Sequence, residues 1–544
     1  MCSQRNSEVP LEVPESSPKA KSKEPRENQP EPKGHLSTRD RAFIAIYLTA
    51  LVVTILIWLV PIRAPLRLDE TGSYWQISAG FAGVWSRRLV SLCFPAYSYI
   101  LWFSTTAIGT SEVALRIPSI LAMLGAVYFL FLAARELFDV DIAIIAAIIF
   151  SLHPIVVNAA IDVRPYAFGV LATNATILLV LRLRRDDSNL MAALFGLSAA
   201  MIVWFHFLFA DILPALVICF FLVKNGRRKT LWRQLGVALT AFSLASLPVI
   251  PDLLSLFHGA GTHVFETTPT VKDMFWTFVP GRSWKVFGMF AFVTAALAAW
   301  VGTRNRSGRS FQFQGSTLFV CLSLALIPTL ILYGLSVGTS IHAFVPRHRI
   351  DAIPGIALCW AMLLHASRSR AGRLLLCAAF VAVTAYIPFS SSSPAHHGDT
   401  WKFALQAAER NATADNAPVV ICSDFPEADS AAMPVDSAKE SILFAPLSYY
   451  RLRVPVVPLP RALNDEAIRV GSLFLAEAAK KHERFLALAY LPSYRTLDWL
   501  AKSATETYSV RKSGVYDGIE LLEFVPRSIP SLHCPARRQS TRNQ

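Results

Sequence analysis

The stretch Leu190–Val223, which reads LMAALFGLSAAMIVWFHFLFADILPALVICFFLV, decides how the rest of this chain is arranged. A membrane helix needs roughly 20 mostly apolar residues, so this stretch is too long for one ordinary span. It is long enough for two shorter spans joined by a tight turn near His206. A single long helix would reverse the sidedness of every later segment, so the charges of the loops must decide between the two arrangements.

The composition indicates that lipid is the main solvent of the protein. Of the 544 residues, 53% are hydrophobic and 17% are charged, whereas soluble domains carry about 25% charged residues. The net charge of +14 could suggest nucleic-acid binding, but Lys and Arg lie between apolar runs, where orientation in a membrane puts them. We therefore expect membrane lipid as a partner and no nucleic acid.

We predict an all-α polytopic membrane protein with about eleven transmembrane helices. The candidate spans are Phe43–Pro61, Val113–Ala134, Asp141–Ile161, Ala167–Leu183, Leu190–His206, Phe207–Val223, Leu235–Leu256, Val286–Gly302, Ser316–Leu335, Ile350–Ala366 and Arg373–Phe389.

Four basic segments separate these spans, and short basic loops prefer the cytoplasm. Counting from a cytoplasmic N-terminus puts all four inside only if Leu190–Val223 crosses the membrane twice. This agreement favours the double crossing. The four segments are Arg182–Arg185, Lys224–Arg233, Thr303–Arg309 and Ser367–Arg373.

The remaining segments give the domain organisation. The polar start predicts a disordered tail and no cleavable signal peptide. In the first outer loop, Gly72–Ile108 predicts interfacial helices, because aromatic residues of this kind sit at the lipid headgroups. These aromatics are Trp75, Trp85, Tyr97, Tyr99 and Trp102. The expected parts are a cytoplasmic tail at 1–41, a membrane domain at 42–390 with its first outer loop at 62–112, an extracytoplasmic domain at 391–527 and a basic disordered tail at 528–544.

The extracytoplasmic domain is predicted to be a small α/β domain, since buried strand patterns alternate with helical ones. The predicted strands are Val419–Cys422, Phe485–Tyr490 and Ile519–Val525, and the predicted helices are Trp401–Arg410 and Asn464–His482. A disulfide between Cys422 and Cys534 is an open alternative, which spacing does not decide.

Two adjacent carboxylates, Asp69 and Glu70, follow the first span closely. Carboxylates beside a bilayer are energetically costly unless water solvates them or they take part in binding or catalysis. A carboxylate there can act as a general base towards a hydroxyl. The alternative is an ordinary solvated pair in a polar loop.

The neighbouring motifs favour the functional interpretation. In order, they are LDETGSYW at Leu68–Trp75, FPAY at Phe94–Tyr97, GTSEVALRIPS at Gly109–Ser119, AARELF at Ala133–Phe138, His153-Pro154 and DVRPYA at Asp162–Ala167. This ordered set resembles the bacterial branch of the protein mannosyltransferase and aminoarabinose transferase superfamily, which are GT-C membrane glycosyltransferases of family thirty-nine type. The resemblance covers Asp69 to about Leu222 well and is thinner up to Phe389.

The resemblance implies a bacterial inner-membrane enzyme that uses a polyprenyl-phosphate sugar donor at the outer face. The acidic motif of the family falls on Asp69 and Glu70, and its Arg-Tyr pair falls on Arg164 and Tyr166. A late Arg falls on Arg347, with Arg349 as a rival. Two departures concern FPAY, where the family often has His-Pro-Pro-Leu-Tyr, and His348, where an aromatic residue often follows the late Arg.

The chemistry of the residues agrees with this resemblance. A phosphate leaving group needs cations, and the planar guanidinium of Arg fits phosphate oxygens. Lipid-headgroup snorkelling is the alternative for each Arg, and Arg116 is interpreted as a structural anchor. Further candidates for acceptor contacts or support of the site are Tyr97, Asp162, His206 and His258.

No metal or other cofactor is expected, because the histidines near the outer face match no compact zinc spacing. A divalent cation remains an alternative.

The first hypothesis is an inverting glycosyltransferase with Asp69 as base and a glycan, lipid or protein acceptor. The alternatives are a transporter or flippase for a lipid-linked substrate and a membrane scaffold whose outer domain binds a partner.

Overall fold

The computed structural model describes most of the chain, and all statements below concern that part. The described residues are 38–88, 95–183, 188–223, 228–259, 268–279, 315–339, 341–365, 401–422, 442–460, 463–490 and 494–527, with a few positions between 374 and 382. Outside them lie residues 1–37 of the tail predicted at 1–41, the predicted tail at 528–544, the span Val286–Gly302, most of Arg373–Phe389 and most of the basic loops. The last four residues of the first predicted tail belong to the helix Thr38–Trp58. The chain divides into Met1–Ala45 and Ile46–Gln544, and the account below concerns the second unit.

The described membrane domain is helical, but the predicted count of about eleven spans is not confirmed. Four helices are long and apolar enough to cross a membrane, or up to five if a bent pair counts as one. The remaining described helices are shorter, because breaks at His153 and His206 divide apolar runs that the sequence shows as continuous. The long helices are Arg41–Trp58, Glu112–Leu137, Thr230–Leu254 and Gly315–Gly338, and the pair Val140–Leu152 and Pro154–Ile161 is bent by 70°.

The turn predicted near His206 is present. One helix spans Asn189–Phe205, and His206 has extended backbone with φ −160°. A 3-10 helix over Phe207–Ile212 then leads into the helix Leu213–Val223. Leu190–Val223 is therefore two helical segments rather than one, as the double crossing requires. The side of the membrane on which each end lies stays a prediction.

The core of the membrane domain is formed by helices that are apolar on all sides. Nearly every residue of Val140–Leu152 is buried, as expected for a helix surrounded by other helices. The Trp58 indole N–H donates to the Ser151 carbonyl over 2.9 Å. The Asn174 amide donates to the Ala126 carbonyl over 2.9 Å and links the helices Tyr166–Arg182 and Glu112–Leu137.

The first outer loop contains three helices, Leu68–Ser78, Gly80–Arg87 and Pro95–Ile108. We call Leu68–Ser78 the site helix. Exposed Trp85 agrees with an interfacial surface. The prediction for Trp75 and Tyr97 was wrong, since both are buried. Trp75 packs into the C-terminal domain, which a loop pattern alone could not indicate.

The C-terminal domain is a five-stranded mixed sheet covered by helices, which confirms the predicted α/β character. The strand order is β2–β1–β3–β5–β4. Strand β1 is parallel to β2 and β3, and β5 is antiparallel to β3 and β4. The strands are β1 Val419–Cys422, β2 Val456–Leu459, β3 Phe485–Tyr490, β4 Tyr508–Tyr516 and β5 Ile519–Pro526.

Four described α-helices accompany this sheet, the shortest being Ala445–Tyr449, and one tight turn closes its hairpin. Two of the helices, Trp401–Ala412 and Asp465–Lys481, were predicted, and Tyr494–Ala504 was not. Between β4 and β5, Asp517 and Gly518 both have positive φ, of 48° and 85°. Such backbone is typical of a two-residue hairpin turn, for which Asp-Gly is a favoured sequence.

A buried ion pair joins the site helix to the membrane domain. Arg116 and Glu70 are both fully buried, and Arg116 Nη2 lies 3.2 Å from Glu70 Oε2. Glu70 also accepts from the backbone N–H groups of Arg67 and Val163 over 2.8 and 2.9 Å. Arg116 is therefore the structural anchor that the sequence suggested. It also donates to the carbonyls of Ile161, Ile62, Ala64 and Pro65 over 2.6–3.2 Å.

We predict that Glu70→Gln strongly destabilises the protein. Removing one partner leaves the Arg116 charge buried without its counterion, which costs about 3–5 kcal/mol. The apparent melting temperature of the detergent-purified protein measures this loss. Glu466→Gln is the matched control, because Glu466 pairs with Arg469 at the surface, where the loss should be undetectable. Equal melting temperatures for wild type and Glu70→Gln would contradict the anchoring role.

Candidate active site

Asp69 and Arg347 form an ion pair across 278 residues of sequence. Arg347 Nη1 donates to Asp69 Oδ2 over 2.8 Å. Asp69 is the second residue of the site helix, and Arg347 lies in the 3-10 helix Pro346–Ala352. The pair is open to solvent, since 32% of the Asp69 side chain and 46% of the Arg347 side chain are exposed. A ligand can therefore reach both charges.

Arg164 and Tyr166 complete the group around Asp69. Arg164 Nη1 donates to the Asp69 backbone carbonyl over 3.3 Å, and the Arg164 guanidinium carbon lies 6.0 Å from the centre of the Tyr166 ring. Tyr166 begins the helix Tyr166–Arg182 and is buried. The structure therefore brings together Asp69, Arg164, Tyr166 and Arg347, as the motifs predicted.

The charges of the site keep Asp69 ionised. Burial raises the pKa of Asp69, but Arg347, Arg164, Arg67 and, to a smaller extent, His348 lower it, so that it falls from 3.8 to about 2. Asp69 is thus a carboxylate at neutral pH among several cations. Arg67 was not predicted as a site residue, although its position two residues before Asp69 was a visible signal.

Four rings lie beside this charged group. The centroid of His206 lies 4.6 Å from that of Phe209, 5.3 Å from that of His348 and 5.4 Å from that of Tyr166. His348 Nδ1 donates to the Ala343 carbonyl over 3.0 Å, because a carbonyl can only accept. Burial and Arg347 lower the pKa of His348 to about 3. His348 is therefore neutral, and its Nε2 is an acceptor within a site rich in donors.

Arg349 has a different position from its rival Arg347. It is buried and donates to the Asp273 carbonyl over 3.2 Å and to Thr277 Oγ1 over 2.6 Å. Its guanidinium carbon also lies 4.7 Å from the centre of the Phe344 ring. Arg347 is thus the arginine that contacts Asp69, whereas Arg349 attaches the segment around Asp273 to the 3-10 helix.

Glu70, Tyr97 and Asp162 are buried, whereas about a third of the Asp69 side chain is exposed. Glu70 is enclosed by Arg116 and backbone groups. Tyr97 is fully buried and its ring lies 5.7 Å from that of Phe168. Asp162 is buried, and its carbonyl accepts from the Ser119 hydroxyl over 2.7 Å. His258 lies in the helix Ile250–Gly259, and its side chain falls outside the described part of the chain.

Within the described residues, no group of three or more His, Cys, Asp or Glu side chains could hold a metal ion. The expectation that the protein needs no metal or other cofactor stays a prediction.

We predict that the contribution of Asp69 to stability disappears in acid. A carboxyl group with a lowered pKa in the folded state stabilises the protein above its ordinary pKa, and this stability is lost as the pH falls through the lowered value. The wild-type protein should therefore melt at a higher temperature than Asp69→Asn at neutral pH, and this difference should shrink as the pH falls from 3.8 towards about 2. A difference that stays constant over this range would contradict the described charge environment.

Two comparisons with known proteins concern the family and the fold of the chain. Residues 94–253 match the family model of the dolichyl-phosphate-mannose-protein mannosyltransferases. The fold is similar to that of ArnT from Cupriavidus metallidurans bound to undecaprenyl phosphate, with a TM-score of 0.50 and 11% identity over 89% of this chain and 98% of that chain.

Weaker similarity extends to the archaeal oligosaccharyltransferase AglB from Archaeoglobus fulgidus in complex with an inhibitory peptide and a dolichol-phosphate. Its TM-score is 0.43, with 15% identity over 86% of this chain and 69% of that chain. No curated protein sequence matches the chain significantly. The family-model match and the ArnT fold together confirm the resemblance to the GT-C membrane glycosyltransferases that the motifs predicted.

Proposed function

We propose that this protein transfers a sugar from a polyprenyl-phosphate-linked donor to an acceptor hydroxyl at the outer face of a bacterial inner membrane. The observation that carries the proposal is the open Asp69–Arg347 pair with Arg164 beside it. This group places a carboxylate, which can accept the proton of a hydroxyl, beside guanidinium groups that can bind a phosphate. The match to mannosyltransferases that use dolichyl-phosphate mannose, and the ArnT fold with its bound undecaprenyl phosphate, support this donor class.

The proposed reaction is a single displacement. Asp69 takes the proton of the acceptor hydroxyl, and the acceptor oxygen forms a bond to the anomeric carbon of the sugar. The bond from that carbon to the phosphate oxygen breaks, and the polyprenyl phosphate leaves with the electron pair. Arg164 and Arg347 stabilise the charge on the departing phosphate. Attack from the face opposite the leaving group inverts the anomeric configuration.

The Asp69–Arg347 pair suggests how donor binding would make the Asp69 carboxylate a stronger base. In the free protein Arg347 keeps the pKa of Asp69 low, and a carboxylate with so low a pKa is a weak base. The donor phosphate, a diester with one negative charge, competes for the same guanidinium. Donor binding would then withdraw Arg347 from Asp69 and raise the proton affinity of the carboxylate beside the acceptor.

The second acid of the pair has a positioning role in this proposal. Glu70 holds Arg116 and the Val163 backbone, and so fixes the site helix from which Asp69 projects. His348 offers a neutral acceptor towards the bound substrates. The N-terminus would be cytoplasmic, the sheet domain extracytoplasmic, and the acceptor a glycan, lipid or protein.

The direct experiment supplies purified protein with radiolabelled polyprenyl-phosphate sugars and an extract of envelope glycans, lipids and proteins. Transfer of label to an acceptor with release of polyprenyl phosphate supports the proposal. Movement of the intact donor across a vesicle membrane, without its cleavage, would support a transporter or flippase instead.

We predict that Asp69→Asn lowers the rate of transfer by at least about 100-fold, because general bases contribute factors of this size. Expression and melting behaviour at neutral pH should be compared in parallel. The matched control is Asp465→Asn, the same change at an exposed position of the sheet domain, which should leave transfer unchanged. Full activity of Asp69→Asn would exclude Asp69 as the base.

We predict that Arg164→Ala raises the apparent dissociation constant for the donor by about 10- to 100-fold, as expected for a lost hydrogen bond to a charged group. Inhibition by free polyprenyl phosphate measures this affinity. Arg453→Ala is the control, since 94% of that side chain is exposed. An unchanged donor affinity in Arg164→Ala would argue against phosphate binding by Arg164.

A further inference from the structure

The sheet domain and the site helix share one buried core. Leu68 and Trp75 of the site helix belong to the same cluster of buried side chains as Trp401, Ile442 and Ala445 of the sheet domain. The ring of Tyr74 also meets that of Tyr449 edge to face, with centroids 4.9 Å apart. One side of the site helix is therefore held by the sheet domain rather than by lipid.

A single hydroxyl group attaches the sheet domain to the start of this helix. Tyr450 Oη accepts the backbone N–H of Leu66 over 2.7 Å, across 384 residues of sequence. The same hydroxyl donates to Glu112 Oε1 over 3.5 Å. Lys402 Nζ lies 2.8 Å from that Glu112 oxygen. The chain Lys402–Glu112–Tyr450–Leu66 thus joins the sheet domain, the helix Glu112–Leu137 and the entry to the site helix.

The chemistry of the Tyr450 hydroxyl suits this double contact. A phenol donates one hydrogen bond while it accepts another. Burial raises the pKa of Tyr450, which keeps the hydroxyl protonated. Leu66 is fully buried, so loss of the hydroxyl would leave its N–H without a partner, at a cost that favours a local shift of the backbone.

The position of Leu66 determines that of Asp69. Leu66 stands three residues before Asp69, immediately before Arg67, which is the N-cap of the site helix. The backbone at Leu66 therefore sets the direction in which the helix begins. Misplacement of a reacting group by about 1 Å can cost about 100-fold in rate.

We propose that Tyr450 is a positioning residue, through which the sheet domain fixes the backbone at Leu66 and thereby holds Asp69 opposite Arg347. This inference rests on the proposed function for its catalytic consequence. It gives the sheet domain a defined contribution to the site in the membrane domain, whatever acceptor the domain also contacts.

The test compares Tyr450→Phe with Tyr449→Phe in the full-length protein. Both variants lose one hydroxyl and keep their ring, but the Tyr449 hydroxyl donates to the Thr110 carbonyl over 2.9 Å rather than contacting the Leu66 backbone. We predict that Tyr450→Phe lowers kcat by about tenfold, while the donor KM changes by less than about twofold. Tyr449→Phe should keep the wild-type kcat. An unchanged kcat in Tyr450→Phe, or equal losses in both variants, would overturn the proposal.

Amide hydrogen exchange gives a second readout that needs no activity. In Tyr450→Phe, exchange should rise in peptides covering 62–78 and stay unchanged in β3 and β5. Unchanged exchange at 62–78, or faster exchange throughout the sheet, would overturn the positioning role. If the wild-type protein transfers no sugar, the proposed function fails, whereas the exchange result still decides whether Tyr450 holds the entry to the site helix.

Discussion

The buried ion pair between Arg116 and Glu70 is the interaction on which the site depends. Two charges away from water are stable only when their remaining donors and acceptors are satisfied, and here backbone groups from three segments do this. The pair therefore fixes the connection before the site helix, the first turn of that helix and the turn that carries Arg164.

The next residue along the helix has the opposite environment. Asp69 is open to solvent and lies among the guanidinium groups of Arg347, Arg164 and Arg67, which keep it ionised. Neighbouring residues on a helix point in directions about 100° apart, so one carboxylate can be structural while the other faces a substrate. This division of roles explains why two adjacent acids stand beside a membrane, where unsatisfied charges are costly.

The sequence predicted the parts of the fold and the site that depend on local pattern. Asp69, Arg164 and Arg347 stand in motifs at helix ends. Strands β1 and β3 are continuous apolar runs, and β5 is a mostly apolar one that includes Glu520 and Glu523. The number of spans stays a prediction, because several predicted spans are helices shorter than a full span or lie outside the described residues. The role of Glu70 and the contact of Tyr450 depend on which distant groups approach, so no local pattern reveals them. Strand β2 was missed because it is short and contains proline.

The sheet domain gives the membrane site a second fixed support, through its contacts with Leu68, Trp75 and Tyr74 of the site helix. Rigid support from both sides suits a displacement in which base, acceptor oxygen and anomeric carbon must line up. The measurement that tests the proposed single displacement most directly is the anomeric configuration of the transferred sugar, determined by NMR on the product. A single displacement with Asp69 as base predicts the configuration opposite to that of the donor. Retention of the donor configuration would contradict it.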